Sequence, residues 1–275
     1  MQTAISTRNL TYSYPNGHEA LRGVTLEIQE GTVVSIIGKN GAGKTTLAKH
    51  LNGLLKPTSG SVIIKGSDIS GKPASDMAHE VGYVFQNPED QLFESSVIQE
   101  VAFGPKNLGI EKEAIDLEVK KALSMVGLSD AISEHPYNLT YGQRKMLCIA
   151  SVLAMRPEII ILDEPNAGQD YFGLRLLGRI LKQLRSEKKT IVMISHDIEF
   201  VAEYSDESVL MQDGKVIVHE STRSVLSDPT RLGSSAIRPP QVTRLAHNLA
   251  RFGIKRDTIN VGEIVEEIEK LVKPN

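Results

Sequence analysis

The 275-residue chain has no tryptophan, a single cysteine and only 5% aromatic residues. One cysteine excludes an intramolecular disulfide and a cysteine-built metal cluster, and Cys148 lies in an apolar, helix-like run. No stretch approaches the ~18 to 20 uncharged apolar residues that cross a bilayer. Met1-Gln2-Thr3-Ala4 shows none of the basic-then-apolar pattern of a secretory signal, so a cytosolic location is expected and any membrane role requires a partner. Charge of one sign is also missing. The 31 Lys and Arg against 34 Asp and Glu give a net −3, which argues against a surface built throughout for nucleic acid. Internal repeats and low-complexity tracts are absent from the sequence, which removes solenoids and disordered scaffolds.

What is present is a phosphate loop. Gly38-Lys39-Asn40-Gly41-Ala42-Gly43-Lys44-Thr45 fits G-x-x-x-x-G-K-[ST] and follows an apolar run, Val33 to Ile37, with helix-compatible residues Thr45 to Leu55 after it. Glycines let successive backbone N–H groups curl inward at the start of a helix, making a concave anion site. Lys44 then reaches the β and γ phosphates, the Thr45 hydroxyl takes one position on Mg²⁺, and Thr46 offers a hydroxyl to the α phosphate. The bound molecule is expected to be a nucleoside triphosphate.

Thr3 to Lys65 reads as short strands, with alternation in Val24-Thr25-Leu26-Glu27-Ile28, a turn at Glu30-Gly31 and another strand from Ser61 to Lys65: an antiparallel lead-in around the loop. The near-continuous apolar runs Val81 to Phe85, Ile159 to Leu162 and Ile191 to Ile194 predict strands covered on both faces, hence a parallel sheet. Between about residues 89 and 155 the pattern turns helical, with Ile115, Val119, Ala122, Leu123 and Val126 on one face. Ser208 to Met211 and Val216 to His219 flank Asp213-Gly214 as a hairpin. From Asp228 the character changes: Arg238-Pro239-Pro240 breaks structure. Val261, Ile264, Val265, Ile268, Leu271 and Val272 line one face of a last helix, with Asn260 and Glu263 at its start. The expected fold is α/β, with an ATP-binding domain over 1–227 and an appendage over 228–275.

Asp163-Glu164 closes an apolar strand, where ligands sit in open α/β sheets. Asp163 suits the Mg²⁺ shell, and Glu164 suits a base or water-orienting role at the γ phosphate. With Leu139-Thr140-Tyr141-Gly142-Gln143 about twenty residues earlier, the chain resembles the ABC-transporter ATPases over roughly residues 3 to 225. That resemblance implies a P-loop NTPase core with an inserted helical subdomain. It also implies roles in family order: Tyr14 stacking on adenine, Gln86 touching Mg²⁺ and the attacking water, Leu139 to Gln143 as the signature, Asp170 as the D-loop aspartate and His196 on the γ phosphate.

Two motifs depart from the family pattern. The signature is usually Leu-Ser-Gly-Gly-Gln, whereas here Thr140 replaces the serine and Tyr141 the first glycine; in the D-loop Gln169 stands where leucine is usual. Thr140 keeps a hydroxyl donor and Gly142 keeps backbone freedom.

The resemblance implies that the signature acts on ATP held by another subunit, so a second ATPase subunit, a copy or a close relative, is required. Gln86-Asn87-Pro88-Glu89-Asp90-Gln91-Leu92-Phe93, Glu100 to Pro105 and Arg238-Pro239-Pro240 are similar to stretches of energy-coupling-factor transporter ATPases. That similarity implies a peripheral subunit on the cytoplasmic face of the cell membrane. It would power uptake of a vitamin or transition-metal ion, with residues around Gln91 to Val101 docking on a membrane coupling subunit, a separate membrane subunit binding the cargo, and the C-terminal extension aiding dimerisation. An ATPase of another importer, or an ABC ATPase without a membrane partner, stays open at this point. A P-loop kinase or GTPase has no use for the signature or His196, and the interval from Leu54 to Asn138 is too short for the coiled coil of a repair ATPase.

Overall fold

The computed structural model describes residues 2–272; Met1 and the last three residues of the expected C-terminal extension lie outside them. Strands β1 (Thr3–Ser13) and β2 (Glu19–Gln29) pair antiparallel and precede β3 (Val33–Ile37), the phosphate loop and helix α1 (Lys44–Leu51). Then come β4 (Ser59–Ile64), β5 (Ser67–Asp68), the short α2 (Ala74–Met77) and β6 (Val81–Val84). Helices α3 (Val97–Asn107), α4 (Lys112–Met125) and α5 (Tyr141–Leu153) form the insert. The chain returns through β7 (Ile159–Asp163), α6 (Tyr171–Ser186), β8 (Thr190–Ile194), α7 (Ile198–Tyr204), β9 (Glu207–Gln212) and β10 (Lys215–Ser221). It ends with α8 (Thr222–Leu226), α9 (Pro229–Ser234), α10 (Gln241–Leu249) and α11 (Val261–Val272).

One sheet is antiparallel, in the order β2-β1-β4-β5; the other runs β10-β9-β3-β8-β7-β6, parallel from β9 to β6 with only β10 reversed. Every residue of β3, β6, β7 and β8 is buried, in keeping with their near-continuous apolar runs. Alternate residues point to opposite faces. Val34, Ile36, Ile159, Ile161, Val192 and Ile194 pack with α1 and the antiparallel sheet, while Val33, Ile37, Ile160, Leu162, Ile191 and Met193 pack with the helical insert and α6 to α8. The phosphate loop thus leaves the parallel sheet, and the antiparallel lead-in covers it.

Helix α1 stops at Leu51, short of the expected Leu55, because Asn52 leaves helical geometry and Gly53 turns at φ +76°. Asp213 and Gly214, both with positive φ, make the two-residue turn of the β9–β10 hairpin. In the C-terminal extension Ala246, Ile254 and Ile264 form a separate small core, and Asn260 Oδ1 accepts from Glu263 N at 3.0 Å. Of the apolar stripe expected on α11 only Ile264 is buried; Val261, Val265, Leu271 and Val272 remain about half exposed or more.

Candidate nucleotide site

Parallel topology gathers what the sequence scatters. The ends of β3, β8, β7 and β6 lie side by side in that order, so the phosphate loop, Ser195-His196, Asp163-Glu164 and Gln86 emerge along one edge of the sheet. The loop reaches this edge only because of glycine: a Cβ on Gly38 would stand 2.4 Å from the Met211 carbonyl oxygen, and Gly43, at φ +97°, one of 2.6 Å from that of Ala20. The loop is pinned from outside by Lys39 Nζ on Asp213 (3.1 Å) and by Gly214 N donating to the Ala42 carbonyl (3.1 Å).

Lys44 is buried and donates from Nζ to the carbonyls of Gly38 (2.8 Å) and Lys39 (3.1 Å). Burial lowers its pKa, opposed by the charges of Glu164 and Asp163. Thr45 Oγ1 donates to Asp163 Oδ1 (3.3 Å), and the Tyr83 hydroxyl donates to Asp163 Oδ2 (3.0 Å). Burial raises the Asp163 pKa, partly offset by the bonds from Thr45 and Tyr83. A threonine hydroxyl and a carboxylate oxygen meeting beside the loop are hard oxygen donors, which fits Mg²⁺ completed by nucleotide and water.

Glu164 is buried, sits at φ +49°, and holds Oε2 2.7 Å from His196 Nδ1. A carboxylate accepts here, so Nδ1 donates and Nε2 is left for a second partner. Ser195 and Asp197 fix the histidine's loop: Ser195 Oγ donates to Asn166 Oδ1 (3.0 Å), and Asp197 caps α7. A cavity of ≈ 420 Å³ is lined by Tyr14, Asn40, Gly41, Gly43, Lys44, Thr45, Thr46, Gln86 and Glu164. At its far end the Tyr14 hydroxyl lies 3.0 Å from Thr46 Oγ1, and the Tyr14 ring lies nearly parallel to His18 at 6.4 Å.

The signature residues are elsewhere. Thr140, Tyr141, Gly142, Gln143, Gly168, Gln169 and Asp170 line a different groove, of ≈ 870 Å³, and none of them lines the phosphate-loop cavity. Leu139 is buried in the core of the helical insert. Thr140 is the N-cap of α5: its Oγ1 accepts from Gln143 N (3.3 Å), while Gln143 Oε1 accepts from Thr140 N (2.9 Å). Accepting through oxygen leaves the Thr140 O–H free to donate, beside the unpaired N–H groups that any helix start presents. Asp170 caps α6, taking Gly173 N at 2.8 Å.

Residues 21–167 match the family model described as ABC transporter. The chain belongs to the ABC transporter ATPase family. This ABC ATPase is 40% identical over 274 residues to an energy-coupling factor transporter ATP-binding protein, EcfA, of Methanococcus maripaludis, each chain covered to 98%. It is 42% identical over 245 residues to a putative ABC transporter ATP-binding protein of Methanosarcina acetivorans, spanning 89% of itself but only 40% of that longer protein. Among solved structures it resembles cbiO1 from Clostridium perfringens, described as part of the ABC transporter complex cbiONQ. The TM-score is 0.76 at 33% identity, covering 92% of this chain and 98% of the other.

Three residues of the ABC ATPase site escaped the sequence reading. His18 joins the cavity wall beside Tyr14. Tyr83 reads in sequence as one more strand residue, yet its hydroxyl holds Asp163. Lys145, two residues past the signature, is fully buried and donates to the carbonyls of Gln86 (2.6 Å) and Asp163 (3.4 Å). Burial lowers its pKa. Its signal was a lysine at a core position of an otherwise apolar helix run. The two ends of the expected docking stretch are turned inward. Gln91 is spent internally, accepting from Phe85 N and donating to the Cys148 carbonyl, and Val101 is in the core; Phe93, Ile98 and Phe103 are the exposed apolar residues.

Proposed function

We propose that this transport ATPase works as a pair of ATPase subunits, each gripping ATP in its phosphate-loop cavity and presenting Thr140 and Gly142 to the ATP of the other. The observation that carries this reading is the separation of the two constellations: one cavity holds the phosphate loop, Lys44 and Glu164, and the other holds the Thr140 hydroxyl and the start of α5, with Asp170, Arg175 and Arg179 but without a phosphate loop. Lys44 and the loop N–H groups neutralise the β and γ phosphates. Glu164 accepts a proton from water as its oxygen attacks the γ phosphorus and the bond to the bridging oxygen breaks, giving ADP and phosphate. His196 orients Glu164 through Nδ1 and presents Nε2 to the γ phosphate. Gln86 positions the water, and Tyr14 with His18 receives the adenine. Thr45, Asp163 and Gln86 would hold Mg²⁺, which supplies neutralisation of phosphate charge. Loss of the γ phosphate removes the anion shared across the pair, and the pair opens.

The work is spent on an importer of the energy-coupling-factor kind, at the cytoplasmic face of the membrane. No described helix is long and apolar enough to cross a bilayer, so the force must pass through a partner. The edge-on pair Phe93 and Phe103, ring centroids 4.7 Å apart, with Ile98 beside them offers the apolar anchor for a membrane coupling subunit. Cargo, a vitamin or a transition-metal ion, is bound by a further membrane subunit. Purification from detergent-solubilised membranes tests this: integral-membrane proteins should come with the chain, and Phe93→Ser should release them. Recovery of the chain with no membrane protein would favour an ABC ATPase without a membrane partner.

A further inference from the structure

Two of the positions at which this chain departs from the family pattern, Tyr141 in the signature and Gln169 in the D-loop, touch each other's motifs. Gln169 Nε2 donates to the Gly142 carbonyl oxygen at 3.1 Å, joining α5 of the helical insert to the loop that follows the carboxylate strand β7. Tyr141 lies over Gly168, where a Cβ would stand 2.4 Å from its Cδ1. A Cβ on Gly173 would stand 2.2 Å from Gln169 Oε1, and one on Gly142 3.1 Å from the same atom. Three glycines therefore make room for two uncommon side chains. Leucine at 169 would fill space there and donate nothing.

We propose that Gln169 is a positioning residue for the signature donors. The α5 ladder uses one lone pair of the Gly142 carbonyl and Gln169 takes the other. That carbonyl shares its peptide plane with Gln143 N, which donates to Thr140 Oγ1 at 3.3 Å. The chain of bonds runs from the Gln169 amide through the 142–143 peptide to the Thr140 oxygen, each bond polarising the next and turning the Thr140 O–H outward. Gln169 lies five residues after Glu164, so the same bond ties the donors offered to a neighbour's nucleotide to the segment carrying the chain's own base.

This rests on the reading of Thr140 and Gly142 as acting on another subunit's ATP, and the test separates the two. In a Glu164→Gln background, the ATP concentration giving half-maximal dimer is measured by sedimentation for Gln169→Met, Gln169→Glu and Thr140→Ala. ATP affinity of the monomer is measured alongside at low protein concentration. Methionine keeps the length without the donor, and the half-maximal concentration is expected to rise roughly 3- to 10-fold, the worth of one neutral hydrogen bond, with monomer affinity and folding unchanged. Gln169→Glu is expected to behave alike near neutral pH and, relative to its parent, to recover as acidification restores a donor. If Thr140→Ala impairs dimerisation while Gln169→Met does not, the positioning role is overturned and the signature reading stands. If neither variant changes it, both fall.

Discussion

The Glu164 carboxylate and the His196 imidazole meet at 2.7 Å across the ends of β7 and β8, with the glutamate buried and the histidine side chain largely exposed. In the proposed reaction this carboxylate takes a proton from water while the histidine holds it from its solvent side. Glu164→Gln is therefore expected to retain ATP affinity while lowering turnover by at least about 100-fold, and to accumulate the ATP-closed pair. Phosphate release assays and equilibrium nucleotide binding check it; turnover at the normal rate contradicts the base assignment.

Lys44 spends its hydrogen bonds on two carbonyls of its own loop, in a place where burial disfavours its charge. A phosphate offers the ammonium a better acceptor, so Lys44→Ala should weaken ATP binding by roughly 10-fold or more, the scale of a charge-assisted bond. Titration calorimetry reads this directly, and unchanged affinity would mean that the loop is not the cradle.

Tyr83→Phe removes the donor on Asp163 Oδ2 and leaves a buried carboxylate oxygen without it. The expected cost is about 1–3 kcal/mol of stability in urea unfolding. The bond also holds the Asp163 pKa down against burial, so its loss raises that pKa further. In the proposed role Asp163 must be ionised to hold Mg²⁺, so the acid limb of turnover should move to higher pH in the variant. An acid limb that stays in place would contradict the role of Tyr83.

The C-terminal extension has its own acid sensitivity. Partial burial pushes Glu263 up, but Arg223, the Ile259 N–H and Asn260 outweigh it and hold the carboxyl below the ordinary glutamate value. A depressed folded pKa contributes stability that is present above the unfolded value and lost as pH falls through the folded one. Protection factors of the α11 amides should thus fall on acidification below the ordinary glutamate range, before those of β3 and β8, and in Glu263→Gln they should be low already at neutral pH. Protection of α11 that does not respond to acid would show the pair to be idle.

Local signals were the legible ones. The phosphate loop, the apolar strand ending at Asp163 and the Asp213-Gly214 turn each depend on residues adjacent in the chain, and each stands where its pattern puts it. The parallel sheet followed from three near-continuous apolar runs. Contacts made by a single long side chain across the fold left no such trace. Tyr83 reaches Asp163 over 80 residues and Lys145 reaches Gln86 over 59, and neither residue has a neighbour pattern that announces its partner. The exposed stripe of α11 shows the converse: periodicity marks an apolar face, but only packing decides what covers it.

Because the account rests on sites shared between subunits, the most direct test mixes two inactive chains. Lys44→Ala grips ATP weakly but keeps its signature; Gly142→Asp keeps its phosphate loop but sets bulk and negative charge where the proposed pair brings the neighbour's γ phosphate. Paired, they make one intact composite site, and ATP turnover in the mixture should rise clearly above the sum of the two alone. A mixture that forms mixed pairs and remains as inactive as its components would contradict the shared site.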